Sequence, residues 1–236
     1  MNHLKNQRGY TLIELIAAML LFSLLVIALV STLIAVSRSA TKGGSQRSVQ
    51  QEARYDIEEI ARVVRNSSID YIFYAANAAT QCSLDSKAFL ALQTTYVTST
   101  GSTNVQRTYY YSKPIAPSST KIALFRYAED VSASATPPTC SAVVSAATPS
   151  IAANTAQITP DSLRLLQAFF VVAPDKDPND PTNAGGSDTS GNASRNIHPR
   201  ATISLRLATE GSTATDSAIT LQTTASSRMY PKVISL

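Results

Sequence analysis

Charged residues are scarce in this sequence, at 15% of 236 residues against about 25% in a typical globular domain. The formal net charge is only +4. Proteins that bind polyanions usually concentrate Lys and Arg in a stripe or a tail. The composition therefore argues against nucleic acid as a partner without excluding it.

Catalytic and metal-binding motifs are also missing. There is no G-x-S-x-G elbow and no phosphate-binding glycine loop, and the two histidines do not form a cluster. The spacing of Cys82 and Cys140 does not fit a zinc site, and His198 lies beside a proline in a loop. No pair of carboxylates is marked out by its position. The sequence thus predicts no enzyme and no cofactor.

One long apolar run lies near the start of the chain. No charged residue occurs from Leu15 to Val36, and these 22 residues make a helix of about 33 Å, which matches a hydrocarbon core of about 30 Å. Lys5 and Arg8 precede the run, so residues 1–9 are expected in the cytoplasm and the rest of the chain outside it. The run is too long for a cleaved secretory signal. Residues 10–36 are predicted to span the membrane once.

Glu14 is an acidic residue at the start of this otherwise apolar segment. A charged side chain costs about 2.5–3.5 kcal/mol at the bilayer centre and less near the interface. Either Glu14 sits at headgroup depth, where a negative charge suits a helix N-terminus, or it has a function. Its neighbours in the sequence decide between the two.

Residues Arg8 to Leu15, with the sequence RGYTLIEL, and the apolar run after them closely resemble the class III signal of type IV prepilins and type II secretion pseudopilins. The resemblance implies that a membrane-embedded prepilin peptidase cuts between Gly9 and Tyr10 and methylates the new amine of Tyr10. Residues 1–9 are then a leader, and Glu14 is the acidic residue at the fifth mature position. The other implied partners are pilin or pseudopilin subunits and the inner-membrane assembly platform.

The sequence departs from the family pattern at two positions. Tyr10 stands where Phe is commonest, and Ser31 stands in the membrane half, where many major pilins carry a helix-kinking Pro. The missing Pro fits a minor subunit better than a major one. The implied location is the cytoplasmic membrane, followed by an extracytoplasmic filament in the periplasm or at the cell surface.

The role that the resemblance implies for Glu14 has a physical basis. A subunit that leaves the bilayer carries its new positive N-terminus into a low-dielectric helix bundle, where that charge needs a partner. Glu14 of a neighbouring subunit can supply the partner, neutralise both charges and fix the axial register. Such a role is assembly rather than catalysis.

Residues 37–72 are predicted to form an amphipathic helix with a joint. Gly43 and Gly44 together cost a helix about 2 kcal/mol relative to Ala, which predicts a break at this pair. The charged residues that follow are expected to form a solvated face, similar to the helix of J-type minor pseudopilins. The apolar stripe opposite them recurs at helical spacing and comprises Val49, Ala53, Ile57, Ile60 and Val64.

Residues 73–236 lose the helical period and are expected to form a β-rich head. The fold class is therefore α+β, with a long N-terminal helix packed on an antiparallel sheet, as in pilins. The predicted strands are Lys87–Leu92, Val105–Tyr111, Ile122–Tyr127, Leu163–Ala173, Ala201–Ala208 and Ala218–Thr224.

Two segments of the head, Ala128–Gln157 and Pro174–Pro199, have the composition of irregular surface loops where a partner would touch. Tyr109, Tyr110 and Tyr111 could stack on bases or sugars, but strand packing is favoured. Cys82 and Cys140 are the only cysteines. In an extracytoplasmic domain they favour a disulfide, with two reduced thiols as the alternative.

Asp175, Asp177 and Asn179 have the spacing with which an EF-hand calcium loop begins. The pattern then fails, because Asp180 stands at the sixth position and Gly186 at the twelfth. A solvated acidic turn is the favoured interpretation, and a calcium site is the alternative.

Together these features favour a minor pilin or pseudopilin, built into a type IV pilus or type II secretion pseudopilus or priming its assembly. Two alternatives stay open. The head could bind DNA, a surface or another ligand at a filament tip. The chain could also be a single-pass membrane-anchored β domain whose leader match is accidental.

Overall fold

A computed structural model of the chain describes residues 11–99, 101–116, 119–132, 136–146, 155–178, 198–209 and 218–227. The chain divides into two units, residues 1–45 and residues 46–236, and each is treated by itself. The elements within the described residues are, in chain order, α1 (Leu12–Asn66), β1 (Ser68–Ile69), α2 (Tyr71–Ala76), a 3-10 turn (Leu84–Ser86), β2 (Phe89–Val97), β3 (Thr103–Pro114), β4 (Ile122–Ser132), α3 (Cys140–Ala146), β5 (Thr155–Gln157), β6 (Leu163–Ala173), β7 (Arg200–Thr209) and β8 (Ile219–Ser226).

Helix α1 is continuous in its hydrogen bonding through Gly43 and Gly44, so the chain does not leave the helical conformation at this pair. The boundary between the two units lies directly after the pair, and a joint there stays a prediction. A break would leave about eight backbone groups without helical partners and would require a second, costly nucleation. These costs exceed the penalty of about 2 kcal/mol that two glycines impose on a helix.

The predicted apolar stripe of α1 is confirmed in the second unit. It belongs to the same buried core as the sheet, and Glu59 on its flank forms an ion pair with Arg126 of β4 at 3.6 Å. Five stripe residues are buried, namely Val49, Ala53, Ile57, Ile60 and Val64.

Helix α1 ends at Asn66 rather than at the predicted boundary of 72. The chain then enters the sheet, because Ser68 and Ile69 pair with β2 as strand β1. The Ser68 hydroxyl also donates a hydrogen bond to the carbonyl oxygen of Gln93 at 3.0 Å. Pairing with a strand that is distant in sequence thus ends a helix whose periodicity alone would let it continue.

The six strands predicted from the sequence are all present, some of them longer than predicted. Together with β1 and β5, which were not predicted, they form one antiparallel sheet of eight described strands. Its order is β1-β2-β3-β4-β6-β7-β8, and β5 pairs with β4. Strands β7 and β8 pair antiparallel at the end of this order, with Leu205 opposite Leu221. The fold is α+β, with a long N-terminal helix and an antiparallel sheet.

The segment Ala128–Gln157 is not wholly irregular, contrary to the prediction. Strand β4 extends to Ser132 by pairing with β3, and the segment also contains α3 and β5. The Ala, Ser and Thr composition of the segment suggested a loop, but tertiary contacts hold these short elements in place.

Helix α2 was not predicted either. It starts at Asp70, whose side chain accepts a hydrogen bond from the N–H of Phe73 at 2.9 Å.

Asp56 is a carboxyl group buried on α1. The residue is 2% exposed, and its Oδ2 atom has no hydrogen-bond partner among the residues that the structure describes. Burial, followed by the charges of Glu52 and Glu59, raises the pKa of Asp56 from 3.8 to about 7. The folded chain therefore binds the proton of the Asp56 carboxyl group more tightly than the unfolded chain does.

We expect stability to fall as the pH rises from about 4 through about 7, because the folded chain then loses the neutral form that burial favours. An Asp56→Asn variant mimics the neutral acid. It is expected to raise the free energy of unfolding at pH 8 by about 2 kcal/mol and to change it little at pH 4. Thermal unfolding at several pH values measures this difference. Glu58→Gln, at an exposed position of the same helix, is the control, and parallel curves for wild type and Asp56→Asn would contradict the prediction.

Candidate functional site

The described chain begins with the N-cap of helix α1. The carbonyl oxygen of Thr11 accepts hydrogen bonds from the N–H of Glu14 at 3.0 Å and of Leu15 at 3.3 Å. The Thr11 hydroxyl oxygen accepts from the same Glu14 N–H at 3.4 Å. Thr11 therefore caps the helix, and Glu14 lies in the first turn, where its charge suits the positive end of the helix dipole.

The apolar segment of α1 is exposed on all sides. Its 18-residue window of highest hydropathy has a mean hydropathy of 2.8 and is 0% buried, which makes α1 long and apolar enough to cross a membrane. Its hydroxyl groups are satisfied within the helix, since Ser23 donates to the Met19 carbonyl oxygen and Thr32 to that of Ala28, each at 2.8 Å. Lipid or other subunits must cover such a surface.

Glu14 is the one ionisable residue of this apolar segment within the described residues. Its side chain is exposed and makes no hydrogen bond or ion pair with any described residue. The predicted cleavage and methylation residues, Gly9 and Tyr10, lie outside the described residues. The structure thus shows a carboxylate in the first turn of an apolar helix, available to a group from another molecule.

The predicted disulfide between Cys82 and Cys140 is present. It joins the segment after α2 to the first residue of α3. Asn77 bridges the same two segments, because its Nδ2 donates to the Pro138 carbonyl oxygen at 3.2 Å and its Oδ1 accepts from the Cys140 N–H at 2.8 Å. Covalent and hydrogen bonds together hold α3 against the rest of the head.

Removing the disulfide with Cys82→Ser and Cys140→Ser is expected to lower the free energy of unfolding by about 3 kcal/mol, because the 58-residue separation is no longer closed in the unfolded chain. Urea unfolding with and without reductant measures this. Reductant should destabilise the wild type and leave the double variant unchanged. A wild type that does not respond to reductant would contradict the prediction.

The three consecutive tyrosines of β3 are buried, which confirms strand packing. Tyr109 contacts Phe73 with ring centroids 4.8 Å apart, and Tyr111 stacks on Phe89 at 4.9 Å, so these two rings share one face of the sheet. Tyr110 alternates to the other face and is 0% exposed. None of the three rings lies at the surface, where it could stack on a ligand. The tyrosines therefore do not support the alternative that the head binds a ligand.

Asp175 and Asp177 line a cavity of about 450 Å³ between α2, the 3-10 turn and the segment after β6. The Tyr71 hydroxyl anchors this segment by donating to the Pro174 carbonyl oxygen at 2.9 Å. Asn179, the third residue of the calcium pattern, lies outside the described residues. The part of the chain that the structure describes contains no group of three or more His, Cys, Asp or Glu suited to a metal ion. Calcium binding stays an untested alternative to the solvated acidic turn that the sequence favours.

A buried ion pair in the head was not predicted. The Nε atom of Arg107 lies 3.3 Å from Oδ2 of Asp70, and the side chains are 4% and 0% exposed. Arg107 also donates from Nη1 to the Thr136 carbonyl oxygen at 3.3 Å. The pair therefore joins β3 to the start of α2 and to the segment before α3. The local sequence gives no signal for such a pair.

The start of α1, in contrast, has a signal in the sequence. Thr11 and Glu14 have the Thr-x-x-Glu spacing of a helix-capping motif, which predicts a helix start at this position.

Comparison with known proteins gives one match. The model of the family "prokaryotic N-terminal methylation motif" matches residues 4–30. The match includes Gly9, Tyr10 and Glu14 and about three quarters of the apolar segment. No curated protein and no solved structure matches the chain. The motif is the class III signal of type IV pilins, so the chain carries the signal of a prepilin-peptidase substrate, which is typical of membrane-anchored structural subunits rather than of enzymes.

Proposed function

We propose that this chain is a minor pilin or pseudopilin, which enters or primes a type IV pilus or a type II secretion pseudopilus after cleavage between Gly9 and Tyr10. The observation that carries the proposal is the methylation motif at residues 4–30. The motif stands at the start of the apolar segment of α1, in which Glu14 is the only ionisable group within the described residues. A subunit with these features can be anchored in the bilayer before assembly and can then pack into a bundle of similar helices.

The geometry of α1 supports filament assembly. The side chains from Leu12 to Val36 are exposed around the whole helix, so lipid can cover them before assembly and neighbouring helices can cover them afterwards. Glu14 has no partner among the described residues and can pair with the amine of a neighbouring subunit. That pairing would neutralise the buried charge on each of the two helices and fix their axial register.

The minor role rests on the sequence of the membrane segment, and the orientation rests on the charges of the leader. No Pro interrupts the described part of the membrane segment, whereas many major pilins have one where Ser31 stands. Lys5 and Arg8 favour an orientation with the N-terminus in the cytoplasm and the head outside. The partners proposed are the prepilin peptidase, other pilin or pseudopilin subunits and the assembly platform of the inner membrane.

The proposal is tested by shearing filaments from cells that express the chain and probing them with an antibody against the head. We expect the mature chain in the filament fraction, at a small fraction of the amount of the major subunit, and fewer filaments when its gene is deleted. Cells without the prepilin peptidase are the control and should retain the uncut chain in the membrane. A chain confined to the membrane, together with normal filament numbers in the deletion strain, would contradict the proposal.

A further inference from the structure

The sheet of the head has two ends, and the end at β1 is closed. Strand β1 pairs with only two residues of β2, but the edge of β2 makes further bonds beyond it. The Asp70 N–H donates to the Ala91 carbonyl oxygen at 3.0 Å. The Tyr74 hydroxyl accepts from the Ala91 N–H at 2.9 Å and donates to the Phe89 carbonyl oxygen at 3.1 Å. Helix α2 and its N-cap therefore take the place of a neighbouring strand at this edge.

The end at β8 is open within the described residues. Strand β8 pairs with β7 along one side, and no described residue bonds to the backbone on its other side. Every second residue of an edge strand points its N–H and C=O groups outward, so β8 presents a row of unpaired backbone groups. Ile219 and Leu221 are only half-buried at this end, although Leu207 and Leu205, which lie opposite them on β7, are fully buried.

The sequence of β8 lacks the features that usually protect an edge strand. Its eight residues, ITLQTTAS, include no charged residue and no proline, and they pair with β7 without a bulge. Natural sheets usually place a lysine, a proline or a bulge at an open edge, because a bare edge pairs with another strand. Half of the residues of β8 are β-branched, which favours such pairing. The occupant that fits this edge is therefore a further β-strand.

Strand β8 matches a second copy of itself. Directly opposite residues of an antiparallel pair lie on the same face of the sheet. A two-fold pairing centred on Gln222 brings the exposed polar side chains of the two strands together and places Leu221 opposite Thr223. No charged groups of the two strands meet in this pairing, and the second strand covers both Ile219 and Leu221. A pairing centred on Thr223 would leave Ile219 beyond the paired residues.

We propose that the edge of β8 is a self-association surface: the β8 strands of two copies of this chain pair antiparallel about Gln222 and join the two heads into one continuous sheet. Identical surfaces that meet about a two-fold axis form the commonest homo-oligomers. The new ladder satisfies the backbone groups that each β8 leaves unpaired. The contact lies between heads, so it depends neither on cleavage after Gly9 nor on the pairing of Glu14.

The test measures the mass of the full chain in detergent micelles by sedimentation equilibrium. Gln222→Lys and Gln222→Glu each place two like charges opposite each other in the paired strands, at a position that is exposed in the single chain. We expect each variant alone to dimerise about fivefold more weakly than the wild type. An equimolar mixture of the two variants should recover at least the wild-type affinity, because opposite charges then face each other.

The control is Gln167→Lys, which makes the same exchange at an exposed position of β6. Gln167 lies on the same face of the sheet as Gln222, because Arg206 of β7 is opposite both Gln167 and Thr220. It is two strands away from the edge, so Gln167→Lys should dimerise like the wild type. Dimers weakened equally by Gln167→Lys and Gln222→Lys would overturn the inference.

An added cysteine gives an independent readout. Cys82 and Cys140 are the only cysteines and are joined in the disulfide, so Gln222→Cys adds a single free thiol. Directly opposite residues have Cβ atoms about 4.5–5.5 Å apart, which is close enough for a disulfide after small adjustments. Mild oxidation should link most Gln222→Cys chains into dimers and few Gln167→Cys chains.

Three further results would overturn the inference and leave the proposed function intact. A wild type that stays monomeric would show that β8 does not pair with a second copy. A dimer that both charged variants form as well as the wild type would be held by another surface, such as α1. Weakened dimers that the mixture does not recover would show that the two Gln222 positions do not face each other. Cleavage and filament assembly are measured separately, so the failure of this inference is distinguishable from the failure of the proposed function.

Discussion

A Glu14→Gln chain is expected to be cut and methylated like the wild type but to be absent from filaments. The amide keeps the size of the side chain and removes the charge that the proposed pairing requires. In the assembled bundle the amine of a neighbouring Tyr10 would then be buried without a counter-charge. Breaking a buried ion pair in this way costs about 3–5 kcal/mol, so the amount in filaments should fall by about two to four orders of magnitude.

Glu14→Asp is the matched control for this experiment, because it keeps the negative charge on a side chain that is shorter by one methylene group. It should restore part of the assembly that Glu14→Gln loses. Both variants are measured by comparing sheared filaments with membranes in the same cells. Normal amounts of Glu14→Gln in filaments would show that charge pairing does not drive assembly, even if cleavage occurs as proposed.

An Arg107→Met variant is expected to lose about 4 kcal/mol of unfolding free energy at pH 7. The change strands the carboxylate of Asp70, which is 0% exposed, without its cation. The loss should shrink as the pH falls, because protonation then neutralises Asp70. Urea unfolding, followed by near-UV circular dichroism of the buried tyrosines, measures it.

The double variant Asp70→Asn with Arg107→Met separates the stranded charge from lost packing. Asn is a good N-cap, so it can still accept the hydrogen bond from the N–H of Phe73 that starts α2. The double variant should therefore be more stable than Arg107→Met alone by about 2 kcal/mol. Equal losses of unfolding free energy in the single and double variants would contradict this prediction. They would show that the ion pair contributes nothing to stability beyond the packing of the arginine side chain.

The parts of the fold that could be predicted are those in which a local pattern matches the final environment. In β7, Ala201, Ile203 and Leu205 alternate with polar residues, and they face the core as the period requires. The disulfide could be predicted because Cys82 and Cys140 are the only two cysteines in the sequence. Glu14 was recognisable because a charge is conspicuous in an apolar run.

The parts that could not be predicted depend on contacts between distant residues. Helix α3 has an unremarkable Ala, Ser and Val sequence, and Asn77 and the disulfide hold it in place from more than 50 residues away in the chain. The pairing of Asp70 with Arg107 likewise joins positions whose neighbours in sequence show no relation. At Gly43 and Gly44, the propensity of single residues pointed to a break, but the cooperativity of a 55-residue helix outweighed it.

The most direct test of the central claim is N-terminal mass spectrometry of the chain isolated from its native membrane and from filaments. The proposed function predicts a mature protein that begins at Tyr10 and carries one methyl group on its new amine. A chain that keeps Met1 and the rest of residues 1–9, or one that is cut after Val36, would contradict the claim. Such a chain would be a membrane-anchored or secreted β domain rather than a filament subunit.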